Sequence, residues 1–433
     1  MRKFIIICVL LTLLAGAGLW KLHGWRVQTI AQAEEIHTQI AQQQSFFQQD
    51  FEVWSNKAAE KALSHQAELA TDPDIKAQFV SPEGICFISK SDQWDESKLK
   101  LLYEELLQNR HGEELQTLMQ VTVLPEEATD YLGYQSDEMF QYSFSPQFSI
   151  FPEKSLCSFF LDGSSIVLTD GDRKSTVESQ ASTLSHEYGH HYTKSYLLLS
   201  YGHAADLNRP YAKTRGLNSD NTYIYLYDSE TYTANHYKTL VEIAAEDYLV
   251  LMGSPNARKQ IGTYCDVREM SQGKAADQQY FRNAMPQENM NLPFATKVPG
   301  LAELFYAPLG ETPPDYPQTG DMELRFERHE ENFNLVDGYH SAVSYKIQWN
   351  KTLGENATYT LICKEVDDWC PHPIKTVLPG EPAEAEIGEI AIQNQNFVEF
   401  YSDGRIQGTL QFMVVVTTED GMLAVSDPVE KSL

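Results

Sequence analysis

Residues 181–196 read ASTLSHEYGHHYTKSY, and this stretch decides which fold is expected of the chain. Three of the twelve histidines of the chain and one glutamate fall within six consecutive positions. On a helix with 100° per residue, His186 and His190 project within about 40° of each other and one turn apart. Two imidazoles so placed can bind one metal ion, with Glu187 beside them. His191 lies about 140° from His186 around the helix, which indicates packing or surface rather than a ligand.

A second helix, about fifty residues downstream, carries two glutamates among apolar residues. The stretch VEIAAEDYL, residues 241–249, places Glu242 and Glu246 four positions apart on one helical face. A carboxylate is costly to bury unless it binds a partner, although the pair could also form the wet edge of an amphipathic helix. A hydrolytic zinc site needs three protein ligands and an open position for water. A third ligand, and a second glutamate that holds the free N–H of a ligand histidine, would explain both carboxylates.

The pattern around these helices predicts an α+β fold for residues 76–310. Turn residues and apolar runs mark each element, and the second helix should stop at Gly253-Ser254-Pro255. A loop with little regular signal separates the second and third strand regions. The expected strands lie in 79–90, 120–124 and 165–169, and the expected helices begin near 95, 175 and 238.

HExxH at 186–190, followed by E-x-x-A-E at 242–246 on a later helix, is similar to the pattern of the gluzincin zinc metallopeptidases. The closest resemblance in style is to the anthrax lethal factor branch, and it covers about residues 150–260. The resemblance implies a zincin-like domain that contains the HExxH helix. It also implies that one Zn²⁺ is bound by three residues, His186, His190 and Glu242.

The same resemblance implies that Glu187 is the general base. It also implies that Glu246 does not bind the metal and instead accepts a hydrogen bond from the free N–H of a ligand histidine. The thermolysin pattern has E-x-x-x-D, whereas Glu246 takes that fourth position here, so the two glutamates could exchange roles. The lethal factor pattern has a tyrosine seven residues before the glutamate ligand, where this chain has asparagine. Tyr232 is a possible oxyanion donor, and His236 and Tyr237 are nearby alternatives. A strand such as Ser165–Thr169 could pair with an extended peptide substrate.

The N-terminus, MRKFIIICVLLTLLAGAGLWKLHGW, combines two cations with a run of 17 uncharged residues from Phe4 to Trp20. This length is just sufficient for a membrane-spanning helix. Residues 1–26 are therefore expected to be a membrane anchor, or else a signal peptide cleaved near Ala15-Gly16-Ala17. The leading cations favour a single-pass protein of the cell membrane whose remainder is extracytoplasmic, or a secreted protein if the segment is cleaved.

Two further regions flank the expected catalytic domain. Residues 27–75 lack Gly and Pro and show helical periodicity, which predicts a helical stalk that packs on the next domain or self-associates. A segment rich in Pro and Gly, residues 307–321, predicts a linker. Beyond it, residues 319–433 alternate with period two, as in Leu410, Phe412, Val414 and Val416. This region resembles a fibronectin type III module, which implies an all-β sandwich.

The net charge of −28 argues against nucleic acid as a partner, because a phosphate-binding face needs clustered cations. No C-x-x-C pair is present, which argues against a cysteine-based zinc site. The expected function is that of a membrane-anchored, extracytoplasmic zinc endopeptidase acting on a peptide or protein substrate. The alternatives are zinc-dependent hydrolysis of another substrate and a non-catalytic, membrane-tethered binding protein. The intact Glu187 counts against the binding protein, which needs no base.

Overall fold

The computed structural model describes residues 72–126, 133–144, 156–198, 210–217, 236–260, 287–335, 338–394, 397–402 and 408–433. The expected anchor, residues 1–26, and nearly all of the expected stalk lie outside these ranges. Within them, no helix is both long enough and apolar enough to cross a membrane. The described chain is a mixed α+β structure followed by an all-β region.

The helices of the described chain lie between residues 96 and 306. They are α1 (Glu96–Leu106), α2 (Val177–Thr193), α3 (Pro210–Arg215), α4 (Leu240–Met252), α5 (Pro255–Gln260) and α6 (Leu301–Tyr306). The predicted stop of α4 is confirmed: the Gly253 N–H bonds the carbonyls of Tyr248 and Leu249, and Pro255 begins α5.

Five strands form one sheet with the spatial order β1-β2-β3-β5-β4. The strands β2, β3 and β5 are mutually parallel, whereas β1 and β4 run antiparallel to their neighbours. The strand β4 and the first half of β5 occupy the region for which a loop was expected from the sequence. The bounds are β1 (Ala77–Val80), β2 (Cys86–Ser89), β3 (Leu118–Val123), β4 (Gly133–Phe144) and β5 (Leu156–Leu168).

The expectation that Ser165–Thr169 could pair with a peptide is wrong. In β5, residues 165–168 pair with β3 on one side and with β4 on the other, so both rows of backbone groups are already used. Parallel pairing to β3 and antiparallel pairing to β4 leave no edge there. Among the described strands, β4 lies at the edge of the sheet next to β5.

A tight turn after β5 sets the direction in which the chain enters α2. Asp170 adopts a positive φ of 63°, and the Gly171 N–H bonds the carbonyl of Leu124. A Cβ at Gly171 would come within 2.8 Å of that same carbonyl oxygen, so only glycine fits this approach. The Trp94 indole N–H donates to the Gly171 carbonyl at 3.0 Å. The turn that precedes α2 is therefore held by two hydrogen bonds, one to Leu124 and one from Trp94.

The helix α2 begins with a capping box and is buried on nearly every side. The Thr176 hydroxyl accepts the Ser179 N–H, and the Ser179 hydroxyl accepts the Thr176 N–H. These bonds satisfy backbone donors that a helix start leaves open. A helix buried all round lies in the interior of its domain, and α2 packs against the sheet, α1, α4 and α5.

The all-β region contains two antiparallel sheets. One sheet has the order β11-β10-β7-β6, and the other has the order β13-β12-β8-β9 with β14 also paired to β12. The strands are β6 (Arg325–Leu335), β7 (Gly338–Gln348), β8 (Thr358–Glu365), β9 (His372–Val377), β10 (Glu384–Asn394), β11 (Phe397–Ser402), β12 (Thr409–Thr417), β13 (Leu423–Val425) and β14 (Val429–Ser432).

The sheet that contains β8 and β12 is buried on both faces. The predicted alternating set of β12, which includes Phe412 and Val414, packs in a core with residues of the other sheet such as Ile347. The intervening residues, Met413 and Val415, belong instead to the large core that contains α2 and α4. Successive side chains of a strand point to opposite faces, so this one sheet joins two cores.

Candidate metal centre

Two helices bring three of the predicted ligand residues together. His186 and His190, one turn apart on α2, each place Nε2 3.2 Å from Oε2 of Glu242 on α4. The two imidazole rings lie edge to face, with centroids 4.9 Å apart. One ligand atom from each of the three residues lies within 4.8 Å of the others. This partly buried His-His-Glu group could bind a metal ion.

Gly189 allows the two helices to approach this closely. A Cβ at this position would lie 2.9 Å from the carbonyl oxygen of Ala245 and 3.0 Å from the Tyr248 ring. Distances below 3.0 Å are not tolerated, so any side chain here would push α2 away from α4. Because Gly189 stands between the two histidines in sequence and faces α4, it sets the separation of His190 from Glu242.

The observed separations are compatible with one metal ion shared by the three residues. Nitrogen and oxygen ligands at about 2.0–2.2 Å from such an ion lie roughly 3.3 Å from each other, close to the observed 3.2 Å separations. Four carboxylates surround the three imidazoles, and this excess of negative charge favours a cation. The carboxylates are those of Glu187, Glu242, Glu246 and Glu288.

Glu242 is held in its ionised form by the surrounding histidines. Burial alone would raise the pKa of this carboxyl group, but His190, His186 and His236 together hold it well below its usual value. Burial lowers the pKa of His186, yet the bond to Glu242 and the nearby carboxylates raise it to about 9. Glu242 and His186 thus stabilise each other's charged forms.

Glu187, the predicted base, is a nearly buried carboxylate with 6% of its surface exposed. Burial raises its pKa above the usual value, while His186 and His190 oppose this shift. A carboxylate whose pKa is raised towards neutrality is a better proton acceptor than an ordinary glutamate. Its place beside both histidines is therefore compatible with the predicted role.

Glu246 supports a backbone segment. Its Oε1 accepts the backbone N–H of Glu288 at 2.9 Å, and no hydrogen bond joins it to His186 or His190 within the described ranges. Burial, reinforced by the charge of Glu288, raises the pKa of Glu246 to about 8. The bond expected from Glu246 to a ligand histidine is thus replaced by a bond that fixes the position of Glu288.

A third histidine, His236, completes the surroundings of Glu242. Its Nε2 lies 3.2 Å from the Glu242 Oε2, and its Nδ1 lies 2.5 Å from an oxygen of Glu288. Burial opposes protonation of His236, but these two carboxylates raise its pKa to about 11. The mutually close group of three does not include His236, although its Nε2 is as near to the Glu242 Oε2 as those of the other two histidines.

Of the alternatives for the oxyanion donor, the structure brings His236 to the site. Tyr232 lies outside the described residues. Tyr237 stacks face to face on Trp369, with ring centroids 3.9 Å apart and the planes within 2°. His191 is fully buried, and its Nε2 lies 2.8 Å from the carbonyl oxygen of Glu114, in agreement with the prediction that it packs rather than binds metal.

Sequence reasoning missed Glu288, which follows Glu246 by 42 positions. No motif marks it, because the stretch PQENMNLPF has neither helical nor strand periodicity. The only local signal is a glutamate between polar residues in a loop, a pattern too common to indicate a site. Its function depends on tertiary contacts with Glu246 and His236.

In comparisons with known proteins, no protein-family model matches the chain, and no curated protein or solved structure shows significant similarity to it.

Proposed function

We propose that this protein is a zinc-dependent endopeptidase of the gluzincin type, with a zincin-like domain and a fibronectin type III-like C-terminal domain. The observation that carries the proposal is the convergence of His186, His190 and Glu242 beside the buried carboxylate of Glu187. Two imidazoles and one carboxylate are a donor set of catalytic zinc sites, in which water takes the fourth position. Zinc is favoured over magnesium or calcium because those ions select oxygen ligands.

In the proposed reaction, bound zinc supplies an acidified water and polarises the scissile carbonyl. Glu187 accepts the proton of the attacking water through its carboxylate and delivers that proton to the nitrogen of the leaving amine. The raised pKa of Glu187 suits both steps, because the group must first accept and then release the proton. Glu242 stays ionised throughout.

His236 takes the oxyanion role in this proposal. A protonated imidazole held by Glu288 can donate a hydrogen bond to the negative oxygen that develops on the carbonyl carbon. The peptide is proposed to pair with β4, the strand at the edge of the sheet among the described strands. An extended substrate along this edge would run beside α2, which contacts both β4 and β5.

The proposal is tested by zinc analysis and by cleavage of a peptide library read by mass spectrometry. Wild-type protein should contain one zinc per chain and cleave peptides. Glu187→Gln, which keeps the size of the side chain, should keep its zinc while the cleavage rate falls by at least about 10²–10⁴-fold. His190→Ala is the matched control and should lose the metal. A wild-type protein without zinc, in which Glu187→Gln changes nothing, would support the tethered binding protein instead.

The location of the protein is a further part of the proposal. The N-terminal cations and apolar run favour a single-pass membrane anchor with residues 27–433 extracytoplasmic. Protease added to intact cells should then digest the C-terminal region. Protection of this region, under conditions that digest a known external marker, would contradict the proposed orientation.

A further inference from the structure

A short segment, residues 287–292, lies between the candidate metal centre and the all-β region; we name it the Glu288 segment. Towards the centre, the Glu288 carboxylate bonds His236 and the Glu288 N–H bonds Glu246. The Asn289 side-chain amide donates to the carbonyl of Tyr237 at 3.1 Å. The segment therefore determines where the imidazole of His236 stands relative to Glu242.

The other side of the Glu288 segment is bound by the connection between β8 and β9. The Met290 N–H donates to the carbonyl of Trp369 at 3.1 Å. The Lys364 ammonium donates to the Asn291 side chain at 2.9 Å. The Trp369 ring covers Tyr237, the residue that follows His236. One connection of the all-β region thus contacts both chain segments that supply the His236–Glu288 pair.

Lys364 makes this connection rigid. Lys364 is 2% exposed, and the three N–H groups of its ammonium are shared among the Asn291 side chain and the carbonyls of Glu365, Val366 and Asp368, all within 3.2 Å. A buried ammonium must keep such acceptors, because an unsatisfied buried charge is strongly unfavourable. The bonds hold residues 365–368 against Lys364. They therefore fix the position of Trp369, whose ring stacks on Tyr237.

A second anchor holds the same segment from within the α+β part. Arg215 is buried and donates to the Gln287 side chain and to the carbonyl of Pro293. It also bonds Asp247 on α4 at 2.9 Å. These bonds hold Gln287, at the start of the Glu288 segment, and Pro293, just after its end. Trp369 and Lys364 bind Met290 and Asn291 between them.

We propose that Trp369 is a positioning residue of the metal centre, through which the all-β region orients the His236–Glu288 pair. The all-β region is then a part of the site rather than a spacer or a separate binding module. The positioning itself follows from contacts among described residues, and its effect on catalysis rests on the proposed peptidase function. Trp369 acts through Tyr237 and Met290, and it touches neither metal ligands nor reacting atoms in this scheme.

Hydrogen–deuterium exchange of the full-length, metal-free protein tests the positioning without any assay of activity. Trp369→Ala should raise amide exchange about tenfold in peptides that cover 236–239, because this segment loses the ring stacked on Tyr237, whereas the bond of the Met290 N–H to the Trp369 carbonyl does not need the side chain. Trp369→Phe keeps a stacking ring and should restore slow exchange. Leu378→Ala, at the residue that follows β9 and 50% exposed, is the control and should match wild type.

Unchanged exchange at 236–239 in Trp369→Ala would overturn the proposal. If Trp369→Ala does not fold, Trp369→Leu serves in its place, since it keeps an apolar side chain but cannot stack. Where peptide cleavage is measurable, Trp369→Ala should lower kcat about tenfold or more at unchanged zinc content and KM. In a His236→Ala background the same substitution should have no further effect on kcat. An equal loss in both backgrounds would contradict action through His236, whereas absent cleavage in wild type would refute only the peptidase.

Discussion

Glu187 and Glu242 are both buried carboxylates, yet their surroundings move their pKa values in opposite directions. Burial raises the pKa of Glu187, while three imidazoles hold that of Glu242 well below its usual value. Environments that separate the pKa values of neighbouring groups are how sites assign a proton carrier and a permanent charge. This physical difference supports the proposal that Glu187 carries the proton and that Glu242 is the permanent anion that binds the cation.

The two glutamates of α4 should respond differently to loss of charge. Glu242→Gln should abolish tight zinc binding, because its Oε2 is the oxygen that both α2 histidines approach. Glu246→Gln should lower zinc affinity by about 10–100-fold, because it only holds the Glu288 segment behind the ligands. Competition with a chromogenic chelator measures both affinities. The opposite order would mean that Glu246 is the ligand and Glu242 its support.

At the scale of elements, the centre depends on the distance between α2 and α4. Neither helix supplies the complete candidate site: α2 holds two imidazoles and the proposed base, and α4 holds the proposed third ligand. The contact of Gly189 with the Ala245 backbone allows the close approach of these helices. The absence of a side chain at Gly189 thus sets how close the residues of the candidate centre lie to each other.

Gly189→Ala tests this dependence. The added methyl group should force the helices apart by a few tenths of an ångström and lower the free energy of unfolding by about 1–3 kcal/mol. Zinc affinity should fall as well, because His190 moves relative to Glu242. Thermal melts with and without chelator measure both effects. Glu178→Ala, at an exposed position in the first turn of α2, should leave zinc affinity unchanged. An equal loss in Glu178→Ala would show that the loss in Gly189→Ala does not come from the distance between the two helices.

The periodicity of the sequence was sufficient to predict α2, α4 and the strands around 86–89 and 118–123, because each combines an apolar pattern with clear turn signals. Spacing on a helix predicted that His186 and His190 lie together, whereas the choice of Glu242 over Glu246 rested on the gluzincin resemblance. The strand β4 was missed although Phe140, Tyr142 and Phe144 alternate with polar residues, since the rest of the stretch shows no such alternation. Glu288 and the contact of Trp369 could not be predicted, because neither has a local signal and both depend on long-range packing.

At the scale of the whole molecule, the all-β region and the α+β part share apolar contacts. Ile362 of β8, Met413 and Val415 of β12, and two residues of β13 lie in the core that also contains α2 and α4. The linker near 307–321 therefore joins regions that are packed together. The boundary predicted at residue 319 remains a prediction about sequence organisation, and the two regions should be coupled in unfolding.

Val415→Asp tests the coupling. Val415 is 1% exposed on the face of β12 that meets the α+β part, so a carboxylate there should lower the free energy of unfolding by roughly 3 kcal/mol or more. Calorimetry of the wild-type protein should show one main transition, which Val415→Asp shifts as a whole. Leu378→Asp, at a half-exposed position, is the control and should shift it little. Two separate transitions in wild type, with only one affected, would show independent domains.

The contact between Trp369 and the His236 segment also has a consequence for biosynthesis. A nascent chain carries both α2 histidines and Glu242 long before β8 and β9 leave the ribosome, because Trp369 lies more than 120 residues after Glu242 in the sequence. Until that late stretch emerges, Tyr237 lacks the ring and Met290 lacks the carbonyl that hold the segments of His236 and Glu288. Under the proposed function, a chain released before residue 369 is synthesised should carry the three proposed metal ligands but an unsupported His236–Glu288 pair.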